Sequence, residues 1–161
     1  MPTGTDSIAT ASRHGSRPPA DSPFGQARLC YDHLAGRLGV GVTRALRDRA
    51  ALLPGDGAPT RPRAAGSDRF WRLGPNAAEL LAELGVDLAA LERRTRRPLL
   101  RGCLDWTEQQ PHLAGALGAA LAEAMLAEGW LVKSATDRVV EPTHRGRQLL
   151  ADRLGVRLGQ L

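Results

Sequence analysis

Aromatic residues are scarce in this sequence, which has three Trp, two Phe and one Tyr among its 161 residues. Aromatic side chains bury the largest areas in most cores, so Leu, Ala and Val must supply most of the core here. Long apolar runs are also missing, and none approaches the roughly 18 to 20 residues that a membrane span requires. The first 23 residues lack the apolar core of a signal peptide. We therefore expect no membrane partner.

Cysteine is nearly as rare, since only Cys30 and Cys103 are present, 73 positions apart. Two such residues do not make a disulfide framework, and disulfides are uncommon in reducing compartments. The expected localisation is therefore the cytoplasm.

Motifs of catalysis are absent as well. The sequence has no Gly-rich phosphate loop, no Gly-x-Ser-x-Gly and no paired carboxylates in a plausible frame. A Cys–His dyad can be drawn from Cys30 and His112, but nothing in the sequence supplies an oxyanion hole or an orienting group. The prediction is that the protein is not an enzyme, has no catalytic residues and needs no organic cofactor.

The charge is positive and comes almost entirely from arginine. Twenty-one Arg and one Lys (Lys133) against 17 acidic residues give a net charge of +5. The planar arginine fork suits phosphate groups, and a positive balance favours a polyanionic partner. A GC-rich genome would produce the same bias through its use of Arg, Ala, Gly and Leu, so the charge by itself does not choose between these explanations.

Residues 1–24 are rich in Ser, Gly and Pro and are predicted to be a disordered arm. Apolar residues then recur at three- and four-residue steps from Leu29 to Leu52, which predicts an amphipathic helix that Gly39 and Gly41 bend or divide. The stretch 54–68 has the composition of a loop. A short strand at 70–73, a helix from Pro75 to about Gly85 and a short helix over 87–94 are predicted to follow.

The second half shows the same order. Residues 99–106 are predicted to be extended or irregular, and Thr107-x-x-Gln110 with Pro111 predicts a helix that runs to about Gly129. Two short strands at 130–133 and 138–141 predict a β-hairpin. Thr143 then has the position of an N-cap for a last helix.

Two collinear matches indicate that the halves are repeats. His33-Leu34-Ala35-Gly36 matches His112-Leu113-Ala114-Gly115 at an offset of 79, and 79–83 matches 148–152 at an offset of 69. The difference places about ten extra residues in the loop of the first copy. The predicted fold is α+β and mostly α: two pseudo-repeated helix–β-wing–helix units (25–91 and 92–161) that are winged-helix-like and pack as one globule.

Three stretches carry a resemblance to a known family: CYDHLAGRLGV (30–40), LGPNAAELLAELGVDL (73–88) and CLDWTEQQPHLAGALGAAL (103–121). They resemble the long bacterial regulators of the ArsR/SmtB winged-helix type, in the region C-terminal to their DNA-binding domain. The resemblance covers roughly Ala27 to Val156 and implies a bacterial, DNA-associated, dimeric regulator of transcription. In that family a helix-turn-helix precedes the first of these blocks. Only a Ser/Pro/Gly-rich arm precedes it here, so we expect this chain to lack the usual DNA-reading element.

Cys-x-Asp occurs in both halves together with a histidine, and this set is the candidate effector pocket. Thiolates and imidazoles are good zinc ligands, which makes a metal site one interpretation and a thiol-based redox or small-molecule site another. The third and favoured interpretation is structural: the cysteines are buried, the histidines cap a helix or hydrogen-bond a neighbouring loop, and the aspartates accept backbone N–H groups. The pocket candidates are Cys30, Asp32, His33, Cys103, Asp105, Trp106 and His112, of which Cys30, His33, Cys103 and His112 would be the metal ligands.

Basic residues near the wings are the candidates for contacts to a DNA backbone. They are Arg69, Arg72, Lys133, Arg138, Arg145 and Arg147. A second basic stretch, ERRTRRPLLR at 92–101, is interpreted first as a solvated helix end whose arginines offset the helix dipole. Its alternative interpretation is a phosphate-contacting strip. Trp71 and Trp130 are predicted to occupy corresponding wing strands and to pack in the core, while Trp106 is a candidate pocket wall.

Two functions follow from these observations. The first is a transcriptional regulator of the ArsR/SmtB type that binds DNA and responds to a small effector. The second is a dimerising effector-binding or protein-interaction module that does not bind DNA directly.

Overall fold

The structure is a computed structural model that describes residues 16–57 and 70–159. Its helices are α1 (Pro23–Gln26), α2 (Gly36–Asp48), α3 (Ala77–Glu83), α4 (Leu88–Arg94), α5 (Gly115–Ala127) and α6 (His144–Leu154). Its strands are β1 (Arg28–Cys30), β2 (His33–Ala35), β3 (Leu52–Pro54), β4 (Trp71–Leu73), β5 (Arg101–Leu104), β6 (Pro111–Ala114), β7 (Leu131–Lys133) and β8 (Val140–Pro142). The fold is therefore α+β.

The strands pair consecutively into four antiparallel hairpins, β1–β2, β3–β4, β5–β6 and β7–β8. In each half a hairpin precedes a 13-residue helix, and a second hairpin and a helix follow it. We call β1 to α3 the first half and β5 to α6 the second half. The second hairpin of each half is called its wing.

The predicted disordered arm at 1–24 extends too far, because its last two residues belong to a helix. Pro23 begins the short helix α1, and the Ser22 side chain accepts a hydrogen bond from Gly25 N at 3.1 Å. Residues 1–15 lie outside the described part of the chain, so the prediction made for them stays a prediction.

The first long helix begins later than predicted, because Leu29 lies in a hairpin. Cys30 pairs with His33 across a tight turn in which Tyr31 has a φ of 63°. Leu29 faces Leu34 across the same ladder, and Leu34 is buried. The half-buried Leu29 of β1 and the buried His33 and Leu34 of β2 have the sequence spacing of one helix face, which is why the periodicity predicted a helix here.

The predicted capping box of the second half is also wrong. Pro111 begins β6, and the helix starts at Gly115, which has a φ of 80°. Thr107 Oγ1 donates to Asp105 Oδ1 at 2.7 Å, so its hydroxyl serves a loop and no helix begins there. Spacing alone cannot separate a capping box from a side chain that hydrogen-bonds its own loop.

Helix α2 is continuous from Gly36 to Asp48, so Gly39 and Gly41 do not divide it, and the alternative of a bend stays a prediction. A Cβ on Gly39 would overlap the Leu34 carbonyl, and one on Gly41 would contact the Val156 side chain. Both positions are therefore close approaches of neighbouring chain, and such approaches require a small residue. Gly118 has the place of Gly39 in α5, where a Cβ would crowd the Leu113 carbonyl.

Helix α2 ends at Asp48, before the predicted end at Leu52. Ala50 has a φ of 55°, which breaks the helix, and Leu52 begins β3. Of the loop predicted over 54–68, residues 58–68 lie outside the described part of the chain. The first wing therefore consists of β3 and β4. Strand β4 was predicted, but Leu52 of β3 was wrongly predicted to belong to the preceding helix.

The elements predicted later in the chain fare better. Helices α3 and α4 and the second wing occur where they were expected. The predicted N-cap of α6 is confirmed, because Thr143 Oγ1 accepts from Gly146 N at 2.9 Å. Residues 55–70 separate β3 from β4 and residues 134–139 separate β7 from β8, so the longer connection lies in the first half.

Trp71 and Trp130 are both buried, as predicted, but they do not occupy corresponding strands. Trp71 lies in β4, the second strand of the first wing. Trp130 directly precedes β7, the first strand of the second wing. The two offsets align Trp130 with Ala51 and Trp71 with Val140, so the shared residue type was a coincidence.

One core joins both halves. Leu38 and Leu117, at matching positions of α2 and α5, are each fully buried in it. Hairpin strand β2 packs against α5 of the other half, and β6 packs against α2. Among the described helices, none is long and apolar enough to cross a membrane. Because each first hairpin packs against the long helix of the other half, the two Cys/His hairpins lie next to each other.

Candidate functional site

The first hairpins of the two halves bring four potential metal ligands to one point. Cys30 is the ladder partner of His33, and Cys103 is the partner of His112. One ligand atom from each of the four lies within 4.8 Å of all the others. Cys30 is half-buried and the other three are buried. Cys103 and His112 are nine positions apart in the sequence, but they are adjacent in space because they pair in the antiparallel ladder.

The two imidazoles face each other through their Nε2 atoms, which lie 3.0 Å apart. Each ring has an aspartate behind it. His33 Nδ1 lies 3.4 Å from Asp32 Oδ1, and His112 Nδ1 lies 3.4 Å from Asp105 Oδ2. The second contact has ion-pair distance without good hydrogen-bond geometry, so His112 Nδ1 is a buried nitrogen with no hydrogen bond in the described structure. Burial lowers the pKa of His112 and so favours its neutral form.

Asp105 is completely buried and saturated with hydrogen bonds. Both of its oxygens accept from Arg28 Nη2, at 3.1 and 3.0 Å, and Oδ2 accepts from Gly36 N at 2.7 Å. Its Oδ1 also accepts from Thr107 N and Glu108 N, at 2.9 and 3.0 Å. Burial alone would raise the pKa of this carboxyl, but the hydrogen bonds and the Arg28 charge lower it to about 2. The lowered pKa favours the ionised form of Asp105 beside His112.

Asp105 also bears out the expectation that an aspartate accepts backbone N–H groups near a helix start. The helix it serves lies in the other half, because Gly36 is the first residue of α2. The capping role predicted for the histidines is wrong. His33 and His112 lie in strands, and the N-caps of α2 and α5 are Ala35 and Ala114.

Asp32 has a more open environment, with 30% of its side chain exposed. Its Oδ2 accepts from Arg97 Nη1 at 2.6 Å. Partial burial opposes ionisation of Asp32, but the Arg97 guanidinium outweighs it and holds the pKa of the carboxyl below its usual range. Within the basic stretch at 92–101, Arg97 thus lies beside Asp32, next to the Cys/His cluster. Arg93 and Arg94 are exposed in the last turn of α4.

The pKa values of the two thiols shift in opposite directions. The hydrogen bond from Cys103 and the neighbouring histidines lower the pKa of the Cys30 thiol, although burial opposes this. The same hydrogen bond and burial raise the pKa of Cys103. Both cysteines are free thiols in the structure. A thiolate is the nucleophile and the metal-binding form of cysteine, so the arrangement can bind a soft or borderline metal ion or undergo dithiol–disulfide chemistry.

Trp106 stands apart from the four ligands. Its ring contacts Phe24 edge-on, with centroids 6.0 Å apart, and the Arg28 guanidinium lies 5.5 Å from its centre. The side chain is 38% exposed. Its role as a pocket wall stays a prediction, but the contacts that the structure gives it are with α1 and Arg28.

The DNA-backbone candidates are spread over the two wings and α6. Arg72, Lys133, Arg138 and Arg145 are exposed, Arg147 is half-buried, and Arg69 lies outside the described residues. Three of these guanidinium groups already donate to carbonyl oxygens of the chain, Arg72 to Pro54, Arg145 to Glu128 and Arg147 to Gly159.

Arg28 and Thr43 were missed by the sequence reasoning. Arg28 is buried, pairs with Asp105 and lies 4.8 Å from the centre of the Phe24 ring. The motif Arg-x-Cys-x-Asp, which also occurs at Arg101, was a signal that would have found it. Thr43 is buried in α2, and its Oγ1 accepts from Leu113 N at 2.8 Å. Nothing in the local sequence marks that contact, because it joins residues 70 positions apart.

The fold and the site define an α+β protein of two similar halves, with two thiols and two imidazoles clustered between their first hairpins. The chain is 36% identical over 132 residues to an uncharacterized HTH-type transcriptional regulator, YdfF, of Bacillus subtilis (strain 168). The match covers 82% of this chain and 53% of the relative, so the chain spans about half the length of the curated relative it matches. No family model matches the chain. No solved structure matches it either.

The similarity relates the chain to HTH-type transcriptional regulators, which agrees with the regulator family that the sequence motifs predicted. The narrower ArsR/SmtB assignment and the position of the chain within such a regulator stay predictions.

Proposed function

We propose that this protein acts in transcription, as a regulator of the ArsR/SmtB type or as the effector-responsive part of one. The observation that carries the proposal is its 36% identity over 132 residues to an HTH-type transcriptional regulator. A buried Cys/His cluster between two halves is a reasonable sensing element, because a ligand there would contact both halves at once.

The wings are the surfaces proposed to contact DNA. Lys133 and Arg138 lie on the second wing, are exposed, and suit contacts to phosphate. The net charge of +5 favours such contacts. A homodimer fits this function, because helix-turn-helix regulators bind two half-sites through a two-fold axis.

The second candidate is an effector-binding or protein-interaction module that dimerises without direct DNA binding. The internal hydrogen bonds of Arg72, Arg145 and Arg147 favour it, because a guanidinium that donates to a carbonyl has fewer donors left for phosphate.

A gel-shift experiment with the full chain and the DNA upstream of its own gene separates these candidates. We expect a shift at micromolar protein and moderate salt, and we expect Lys133→Ala combined with Arg138→Ala to weaken it. Arg93→Ala combined with Arg94→Ala removes the same charge outside the wings and should shift DNA like the wild type. A folded wild type that gives no shift would refute DNA binding and support the second candidate. Sedimentation measures the dimer in either case.

A further inference from the structure

We propose that Cys30, His33, Cys103 and His112 form a four-coordinate site for one divalent metal ion of the zinc class, which joins the two halves of the fold. Each half contributes one thiolate and one imidazole from its first hairpin. The site does not depend on whether the protein binds DNA.

The spacing of the four ligand atoms suits a tetrahedral ion. Zinc binds sulfur at about 2.3 Å and nitrogen at about 2.0 to 2.1 Å, which puts the ligands of one ion roughly 3.3 to 3.8 Å from each other. The four atoms here lie within 4.8 Å of one another, and the two Nε2 atoms lie 3.0 Å apart. Shifts of a few tenths of an ångström to about one ångström in the side chains bring all four to bonding distance.

The orientation of the two imidazoles suits a cation between them. The carboxylate of Asp32 only accepts hydrogen bonds, so its 3.4 Å contact favours a proton on His33 Nδ1 and leaves a lone pair on His33 Nε2. His112 Nε2 lies 3.0 Å from that atom, while His112 Nδ1 has no hydrogen bond and lies 3.4 Å from the Asp105 carboxylate. With a proton on each Nδ1, both Nε2 atoms can bind one metal ion. A carboxylate behind a ligating imidazole is the usual outer-shell arrangement of a zinc site.

The charges of the site select a divalent ion. Asp105 is neutralised by Arg28 at 3.0 Å, and Asp32 by Arg97 at 2.6 Å. The aspartates therefore add no net charge. Cysteine binds a metal ion as the thiolate and releases its thiol proton to solvent on binding, so the ion has two thiolates to balance it. One divalent ion with two thiolates and two neutral imidazoles is neutral, and a neutral assembly has the smallest cost of burial. A two-sulfur, two-nitrogen donor set with tetrahedral geometry is typical of zinc.

Four protein ligands leave no open coordination position, so the ion would be structural or regulatory rather than catalytic. Because the ligands come from hairpins separated by about 70 residues of chain, binding ties the halves together. Ion binding to the folded state alone stabilises it by mass action. The half-buried Cys30 is the most accessible of the four ligands.

Cobalt(II) titration of the full chain, stripped of metal and kept reduced, tests the site. We expect tetrahedral ligand-field bands and thiolate-to-metal charge-transfer bands that saturate at one ion per chain, and zinc should displace the cobalt. Zinc should also raise the melting temperature of the wild type. Cys30→Ser should lose charge-transfer intensity and His33→Asn should weaken binding, whereas His144→Asn, which removes an exposed histidine of α6, should titrate like the wild type.

Asp32→Asn keeps all four ligands and removes the carboxylate charge behind His33, together with the ion pair to Arg97. It should weaken metal binding by about 10- to 100-fold, the usual effect of losing an outer-shell partner. A folded, reduced wild type that shows no cobalt bands and no melting shift with zinc would overturn the proposal. A Cys30–Cys103 disulfide that forms in air even with zinc present would also overturn it, in favour of dithiol chemistry.

Discussion

The two first hairpins differ most in their turns. Cys30 and His33 are joined by a tight turn, whereas a six-residue loop, 105–110, joins β5 to β6. The longer loop folds back so that Asp105 Oδ1 accepts from Thr107 N and Glu108 N, and the carboxylate is completely buried. The short turn leaves Asp32 partly exposed beside Arg97. The same Arg-x-Cys-x-Asp motif thus produces a buried ion pair in one half and a partly exposed one in the other.

The largest expected effect of this difference is on the stability losses caused by replacing the two aspartates. We expect Asp105→Ala to lower the free energy of unfolding by about 3 to 5 kcal/mol, because it leaves the buried Arg28 without its partner. Asp32→Ala should cost no more than about 1 kcal/mol, since its ion pair is partly exposed. Urea unfolding of both variants with a chelator present measures these losses without a contribution from bound metal. Equal losses would show that burial does not distinguish the two pairs.

A second asymmetry lies between α2 and α5. Thr43 accepts a hydrogen bond from Leu113 N, whereas the matching residue of α5 is Ala122. Thr43→Val removes the hydroxyl and keeps the volume, so it should cost about 1 to 3 kcal/mol by leaving a buried N–H without a partner.

Thr43→Ser is the matched control, because it keeps the hydroxyl and loses only a methyl group. Urea unfolding of the two variants should show the smaller loss for serine. A valine variant as stable as the wild type would mean that Leu113 N finds another acceptor.

The smallest expected effect concerns the turn after each long helix. Ala50 has a φ of 55°, and the matching Gly129 has a φ of 70°. Only glycine adopts this region without strain. Ala50→Gly should therefore stabilise the protein by up to about 1 kcal/mol, and Gly129→Ala, which meets no neighbouring atom, should destabilise it by about 1 to 2 kcal/mol. Thermal melting measures both, and a less stable Ala50→Gly would show that this turn carries no strain.

The accuracy of the sequence-based predictions varied along the chain for a physical reason. Helix α6 and the second wing were predicted well because a Thr cap, an apolar period and a short polar connection are local signals. The predicted start of the first helix was wrong because the half-buried Leu29 of β1 and the buried residues of β2 lie at helix-like spacing in the sequence. The first strand of the first wing was missed because Leu52 continued the same apolar period.

The candidate site shows the same division. All four candidate ligands were named from the sequence, since Cys and His in repeated motifs are unusual in a chain with only two cysteines. Their convergence was not predicted, because eight residues lie between Cys103 and His112 and the β5–β6 ladder brings the two together. Arg28 was overlooked because its partner, Asp105, is 77 positions away.

The amino-acid sequence was enough to predict a core of Leu, Ala and Val, two halves with the same order of elements, and the residue types of the candidate site. These depend on composition and on matches that can be found along one chain. The tertiary structure decided that Cys-x-Asp lies on hairpins, that each first hairpin packs against the long helix of the other half, and that two thiols and two imidazoles therefore meet. Contacts of that range depend on how the whole core packs, which no local pattern encodes.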